Sequence, residues 1–420
     1  MSGVSHVGRR QPQVTVQLLN AYVQWWDDVR GGIVRGISEY VVRGAFMADG
    51  FQLGTDDAAG HWTWTGARLY GEDGFAATHL RHEYADLTAG QRRDRVAQLQ
   101  LAWLAAQWNQ PEFGCRLELR FANDPETRRV HAAILLRVVA ATRQEAADLA
   151  EQRMQRATDP DLLPPHVLAR PIESEAELRG WLGRPRLVGE FIEVRKHLSA
   201  RPITRCGARR TYAIRHGFFD SGDAWETWWR EFAQLDFPAV LCLGFDAYDA
   251  GNSVFRQELN RRALEMEDLA SQGISSPLHP YPMPPDPAAL LAVGDYRRAV
   301  ARYVGRCFRL RVSLVSENEV PPRSIAALVG TVSCIPGAVG PVRVIGPEFA
   351  EAMREHRALG APRLAETYRQ GLPIAPDPMD ELLDSLVDLP EAAAVLSLPA
   401  HWSGTPAYFD DAPTSAVSSS

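Results

Sequence analysis

Lysine is almost missing from this chain of 420 residues: one lysine, Lys196, stands against 44 arginines. Lys196 lies in Val-Arg-Lys-His, with no glycine before it and no serine or threonine after it. The phosphate-cradling motif G-x-x-x-x-G-K-[ST] is therefore absent, and with it the usual means of nucleotide hydrolysis. Schiff-base and lysine-network chemistry is excluded unless Lys196 supplies it. Cysteine is scarce too. Cys115, Cys206, Cys242, Cys307 and Cys334 are odd in number, far apart and without a Cys-x-x-Cys pair, which argues against a disulfide framework or a zinc site. They read as buried, reduced thiols of a cytosolic protein. Long apolar runs are missing as well. The best, Val130 to Ala141, is broken by His131 and Arg137 and falls short of the roughly 20 residues of a spanning helix. The opening Met-Ser-Gly-Val-Ser-His has no basic region followed by an apolar stretch, so no leader and no membrane insertion are expected, and the expected location is cytoplasmic.

Other motifs are also lacking. No G-x-G-x-x-G, no G-x-S-x-G, no H-E-x-x-H and no calcium-binding loop occurs. Each absence speaks only against its own class. Among weaker constellations, His79 and His82 with Glu83 suit a metal if the segment is helical, but no further ligand accompanies them. Asp246 and Asp249 follow the apolar strand Ala239 to Phe245, a place where α/β proteins put functional groups. Aspartates there more often cap a helix or a turn, and the same reading covers Asp220 and Asp223. His197 and His216 read as surface or satisfied histidines. No residue is thus assigned a catalytic, cofactor-binding or metal-binding role, and no cofactor is expected.

What the chain does have is polarity. The net charge of −7 divides into +4 for residues 1–215 and −11 for 216–420, so the halves face different partners or each other. The basic excess gathers in Arg184, Arg186, Arg195, Lys196, Arg201, Arg205, Arg209, Arg210 and Arg215, against only Glu190 and Glu193. Clustered guanidinium groups suit phosphate or carboxylate recognition, which makes these nine the candidates for a partner or phosphate contact. A solvated face or an internal ion-pair surface is the plainer reading of such a run. The last fifty residues carry eight acids and no basic residue.

Secondary-structure signals are mixed. Cys115 to Phe121 alternates, Asn123-Asp-Pro-Glu turns, and Val130 to Ala140 forms a second strand, which predicts a hairpin. Thr142 with Glu145 makes a capping box for a helix to about Arg156, and Thr88 caps a helix to Trp108. Trp225, Trp228, Trp229 and Phe232 fall at helical spacing and read as a core face rather than a base-stacking surface. Further helices are expected at Glu173 to Leu182, Asn252 to Ser271, Pro347 to Gln370 and Met379 to Leu396, and strands at Leu187 to Val194, Arg210 to Arg215, Phe308 to Ser316 and Val342 to Ile345. No exact internal repeat is visible. The expected fold is α+β, with mixed or antiparallel sheets and packed helices in two to three units, an acidic helical C-terminal region and a disordered tail. The expected units are 1–165 with the hairpin, an α/β unit at 166–274, a proline-rich linker at 275–286, a helix and strand unit at 287–402, and the tail at 403–420.

Three segments carry a resemblance: Leu117 to Arg156, Tyr296 to Leu328, and Leu386 to Pro399 (Leu-Val-Asp-Leu-Pro-Glu-Ala-Ala-Ala-Val-Leu-Ser-Leu-Pro). Together they resemble the N-terminal, non-ATPase region of HerA-like, conjugation and type IV secretion hexameric motor ATPases, over about residues 50–400. The resemblance implies a non-catalytic accessory or scaffold subunit that docks on a separately encoded P-loop ATPase, in DNA or protein translocation, secretion or a conflict system. Homo-oligomerisation through the basic and acidic segments is a further expectation. Two alternatives stay open: an unrecognised enzyme with a site near Asp246, Asp249 and His216, and nucleic-acid binding through 184–215.

Overall fold

The computed structural model describes residues 40–41, 52–53, 61–71, 84–108, 115–202, 211–215, 217–219, 224–251, 253–273, 281–360, 378–402 and 408–410. Its first large element is β3, His61–Gly71, preceded by the short strands β1, Tyr40–Val41, and β2, Gln52–Leu53. Helix α1, Ala89–Gln107, starts at Thr88, whose side chain closes a capping box with Gln91. The expected hairpin follows as β4, Arg116–Asp124, and β5, Arg129–Ala140. Asp124 turns the chain by accepting from the backbone N–H of Glu126, and Arg128 takes the left-handed conformation at φ 59°. Helix α2, Arg143–Ala157, carries the expected Thr142–Glu145 box, and β6, Val167–Pro171, returns to pair with β3.

The second half repeats this order with insertions. Helix α3, Glu175–Leu182, leads to β7, Glu190–Lys196, and then to a separate ribbon of β8, Leu198–Pro202, and β9, Thr211–Arg215. Then come α4, Ala224–Ala233, β10, Ala239–Asp249, the helical pair α5, Ser253–Ala270, and α6, Pro287–Arg302, and β11, Arg306–Ser316. Helix α7, Pro322–Val332, and β12, Val339–Arg343, complete the unit. The chain continues through α8, Pro347–Ala358, α9, Pro378–Ser385, β13, Leu386–Val387, and α10, Leu389–Val395.

The strands join in one antiparallel sheet in the order β1-β2-β3-β5-β4-β10-β11-β7-β12, with β6 also on β3 and β13 also on β11. Within it β6-β3-β5-β4 and β12-β7-β11-β10 have the same connectivity, each the split β-α-β order of a ferredoxin-like domain. The two units meet edge to edge through the antiparallel β4–β10 pair, with Leu119 opposite Leu243. The internal repeat is thus one of topology, and insertions of different length hide it from sequence comparison within the chain.

Several expected boundaries move. β6, expected in the second unit, belongs to the first because its partner is β3. The 166–274 segment is not a parallel α/β unit, since β7 and β10 each pair antiparallel with β11, which lies between them. In the expected linker, Gly273 N–H donates to Met283 O (2.9 Å) and Asp286 N–H to Leu269 O (2.9 Å), so the prolines close the α5–α6 hairpin rather than extend between domains. The single helix expected over Met379 to Leu396 breaks where Asp388 caps α10 and Pro390 enters its first turn. Within the expected tail, Tyr408 O accepts from Val130 N–H (2.7 Å), and the Phe409 ring is buried against Trp229 and Phe121.

Side chains alternate across the sheet, and that decides which face is apolar. Leu117, Leu119 and Phe121, Leu241 and Leu243, and Val312 and Leu314 point to one face and pack with α1, α2, α4, α7 and α10. The tryptophan stripe behaves as a core face: Trp228, Trp229 and Phe232 are buried there. The opposite face is covered by α3 and α8.

Candidate functional site

The face under α3 and α8 is where the sheet departs from ordinary packing. Arg116, Glu118 and Arg120 on β4, Arg137 on β5, Cys242 and Asp246 on β10, Arg309, Arg311 and Ser313 on β11, and Glu193 and Arg195 on β7 alternate out of phase with the apolar set. Register lines them up in rungs. One rung holds Arg120, Cys242, Ser313 and Glu193, and the next Glu118, Gly244 and Arg311.

Burying charge demands partners, and the rungs supply them. Glu118 accepts from Arg120 Nε (2.7 Å) and from Arg311. Burial alone would raise its pKa, but Arg120 and Arg311 outweigh burial and hold the carboxyl down at about 2. Arg120, fully buried, also donates to the carbonyls of Trp181 (2.7 Å), Leu182 (3.1 Å) and His356, so one guanidinium ties β4 to the ends of α3 and α8. Arg116 pairs with Asp246 at 2.9 Å, and Arg195 Nε donates to Glu193 at 2.6 Å. Arg137 stacks on the Trp62 ring, 4.3 Å from its centroid, and donates to Ala358 O (3.3 Å). Burial, with the Arg116 charge beside it, lowers its pKa to about 9.

At the centre stand Glu118, Cys242 and His356, all buried, with one ligand-type atom from each lying within 4.8 Å of the others. Their electrostatics follow from where they sit. His356 is buried beside Arg120, which pushes its pKa down to about 3 and keeps the ring neutral. Its Nε2 lies 2.8 Å from Arg184 O, and since a carbonyl only accepts, Nε2 carries the proton. Nδ1 is therefore a lone pair, 3.7 Å from Cys242 Sγ. Burial, with Glu118 close by, pushes the Cys242 thiol up to about 12. Cys307, also buried, lies at about 12. At pH 8 such a thiol is thiolate in only about one part in 10⁴. Ellman's reagent on the native protein is therefore expected to modify exposed Cys334, with Cys242 and Cys307 reacting only after unfolding. Peptide mapping checks this, and label on Cys242 in folded protein would contradict it.

The four sequence-derived candidates whose side chains are described, Arg184, Arg186, Arg195 and Lys196, do not share one surface. Arg195 and Lys196 are neighbours on β7 and so point to opposite faces. Arg195 is held by Glu193, whereas Lys196 is buried with Tyr303 OH at 2.7 Å, Leu386 O at 2.6 Å and Glu391 at 3.2 Å. Arg184 is partly buried over the Trp181 ring, and Arg186 is exposed. Arg201 and Arg215 lie on the β8–β9 ribbon, and Arg205, Arg209 and Arg210 fall outside the described residues. The basic and acidic segments do meet within one chain, at Lys196 with Glu391.

Asp246 and Asp249 do not form a joint site. β10 continues through both, three residues apart, so they project from opposite faces and cannot share a cation. Asp246 is bound to Arg116, and Asp249 accepts from Gly251 N–H (2.8 Å) in the turn. His79, His82, Glu83, His216, Asp220 and Asp223 lie outside the described residues, and His197 is exposed.

Sequence reasoning missed the Glu118, Cys242 and His356 group. A signal existed in charged residues at every second position on β4, β7 and β11 together. Read strand by strand, such positions belong to a solvated face, and only the cover of α3 and α8 buries them. No family model matches this chain, and no curated protein matches it.

Proposed function

We propose that the chain is a non-catalytic accessory subunit that docks on a separately encoded motor ATPase of a translocation, secretion or conflict system. The reading is supported most by where the chemistry-bearing side chains lie. Asp246 is bound to Arg116 and Lys196 to Glu391, and Cys242 and His356 are closed beneath α3 and α8. Apolar side chains are exposed instead on the α5–α6 hairpin, the insertion that separates the second repeat from the first. Leu264, Leu290 and Leu291 are more than half exposed there, and Tyr281 is 81% exposed in the loop between the helices. An insertion with its own packed core and uncovered leucines suits a protein contact. Among the described residues no helix is long and apolar enough to cross a membrane.

The test mixes the purified chain with each P-loop motor ATPase encoded in the same genome and follows co-elution by size-exclusion chromatography with light scattering. A complex is expected, lost in Leu290→Asp/Leu291→Asp while the variant keeps its circular dichroism. The chain alone is expected to hydrolyse no ATP. Hydrolysis by the isolated chain, or a complex indifferent to those substitutions, would refute this reading.

A further inference from the structure

We propose that Cys242 and His356, backed by Glu118, form a buried site for a thiophilic d¹⁰ metal ion, of which copper(I) is the best match. The inference is independent of any docking role and rests on four observations at one place.

The first is the histidine. A metal-binding imidazole commonly donates its second nitrogen to a backbone carbonyl or carboxylate, which fixes the tautomer and aims the other nitrogen at the ion. His356 has that arrangement: Nε2 donates to Arg184 O at 2.8 Å, and the Nδ1 lone pair faces Cys242. The second is spacing. Metal–sulfur and metal–nitrogen bonds of about 2.3 and 2.0 Å place the two ligand atoms about 3.5–3.7 Å apart for angles between tetrahedral and trigonal. The observed Sγ to Nδ1 separation is 3.7 Å, at the trigonal end of that range.

Third, Ser313 stands directly opposite Cys242 on β11, fully buried, and its hydroxyl hydrogen-bonds the Cys242 sulfur, which favours the thiolate that a metal requires. Fourth, charge selects among metals. The oxygens of Glu118 are engaged by Arg120 and Arg311, so the donors left over are the soft sulfur and nitrogen. Entry of a monovalent ion expels the thiol proton: Cys–SH and M⁺ give Cys–S–M and H⁺. The net charge beside the two arginines is then unchanged. A divalent ion would add one positive charge there, beside the guanidinium groups of Arg120 and Arg311.

The full-length protein is titrated without oxygen with copper(I) held by a bicinchoninate chelator, once as folded protein and once refolded from urea with the metal present, because the site is buried. One equivalent is expected to pass to the protein. Cys242→Ser and His356→Gln are each expected to weaken binding by more than the roughly 10–100-fold typical of losing an outer-shell partner, while Cys334→Ser changes nothing. X-ray absorption at the copper edge of the wild-type complex covers the event that a variant misfolds, and sulfur with imidazole nitrogen is expected around the ion. The proposal is overturned if no copper is taken up under either condition, if Cys242→Ser binds as tightly as wild type, if sulfur is missing from the coordination shell, or if zinc(II) is taken in preference.

Discussion

Replacing Lys196 by methionine is expected to lower the free energy of unfolding by about 3–5 kcal/mol, the range for breaking a buried ion pair from one side. The substitution keeps most of the side-chain volume, so the loss is electrostatic. The Glu391 side chain is 0% exposed, and without Lys196 its remaining partners among the described residues are Tyr303, the backbone N–H groups of Phe218 and Asp388, and a distant contact at 3.5 Å to partly exposed Arg302. Burial by itself would depress the lysine pKa, but Tyr303 and Glu391 raise it above its ordinary value. A raised pKa means stability that is fully present below about 10.5 and lost as pH climbs through the folded value. Methionine removes that contribution at neutral pH. The double variant Lys196→Met/Glu391→Gln leaves no buried charge alone and is expected to regain more than half of the loss. Urea unfolding of the wild type, both singles and the double closes the cycle. Additive effects, with the double variant less stable than either single, would show that the pair is not the unit described here.

The same pair shows what could be read from residue order. That Lys196 cannot serve phosphate chemistry followed from its neighbours, and its burial agrees. That the basic and acidic halves face each other was one of two readings, and Lys196–Glu391 is a contact of that kind inside the chain. Local signals carried far: Thr142 with Glu145, the β4–β5 hairpin and the helix expected over Asn252 to Ser271 all appear where the local pattern placed them. These depend on contacts a few residues apart. The polar face depends on contacts across the whole chain, such as Arg120 reaching His356 and Cys242 reaching the same ring. Alternation says that a strand has two faces and is silent on whether helices will cover the polar one. The topological repeat was hidden for a related reason, because the ribbon β8–β9 and the hairpin α5–α6 interrupt one copy only.

Acid should begin to destabilise this protein well above the pH at which ordinary carboxylates titrate. His356 and His166 are both fully buried and held neutral, with folded pKa values of about 3 against an ordinary 6.5. The cause at His166 is burial, against Tyr84 whose OH lies 2.9 Å from Nδ1. At His356 it is burial and then the charge of Arg120. A depressed folded value means that the unfolded chain binds more protons between about 6.5 and 3, so stability falls as pH drops through that window. Each histidine removes about 1.4 kcal/mol per pH unit, and together they remove about 4 kcal/mol between pH 7 and pH 5. Glu118, held at about 2 against 4.5, adds its own loss only below about pH 4.5. With a total stability on the order of 5–15 kcal/mol, the folded state is expected to fail by roughly pH 4. Urea unfolding at half-unit steps from pH 7.5 to 4.5 reads the slope directly. His166→Gln and His356→Gln should each halve it in the pH 6 to 5 interval, whatever they cost at neutral pH, because glutamine binds no proton in either state. A flat profile down to pH 5 would mean that both rings gain their protons while the chain is still folded, and the His356 lone pair facing Cys242 would then no longer be available.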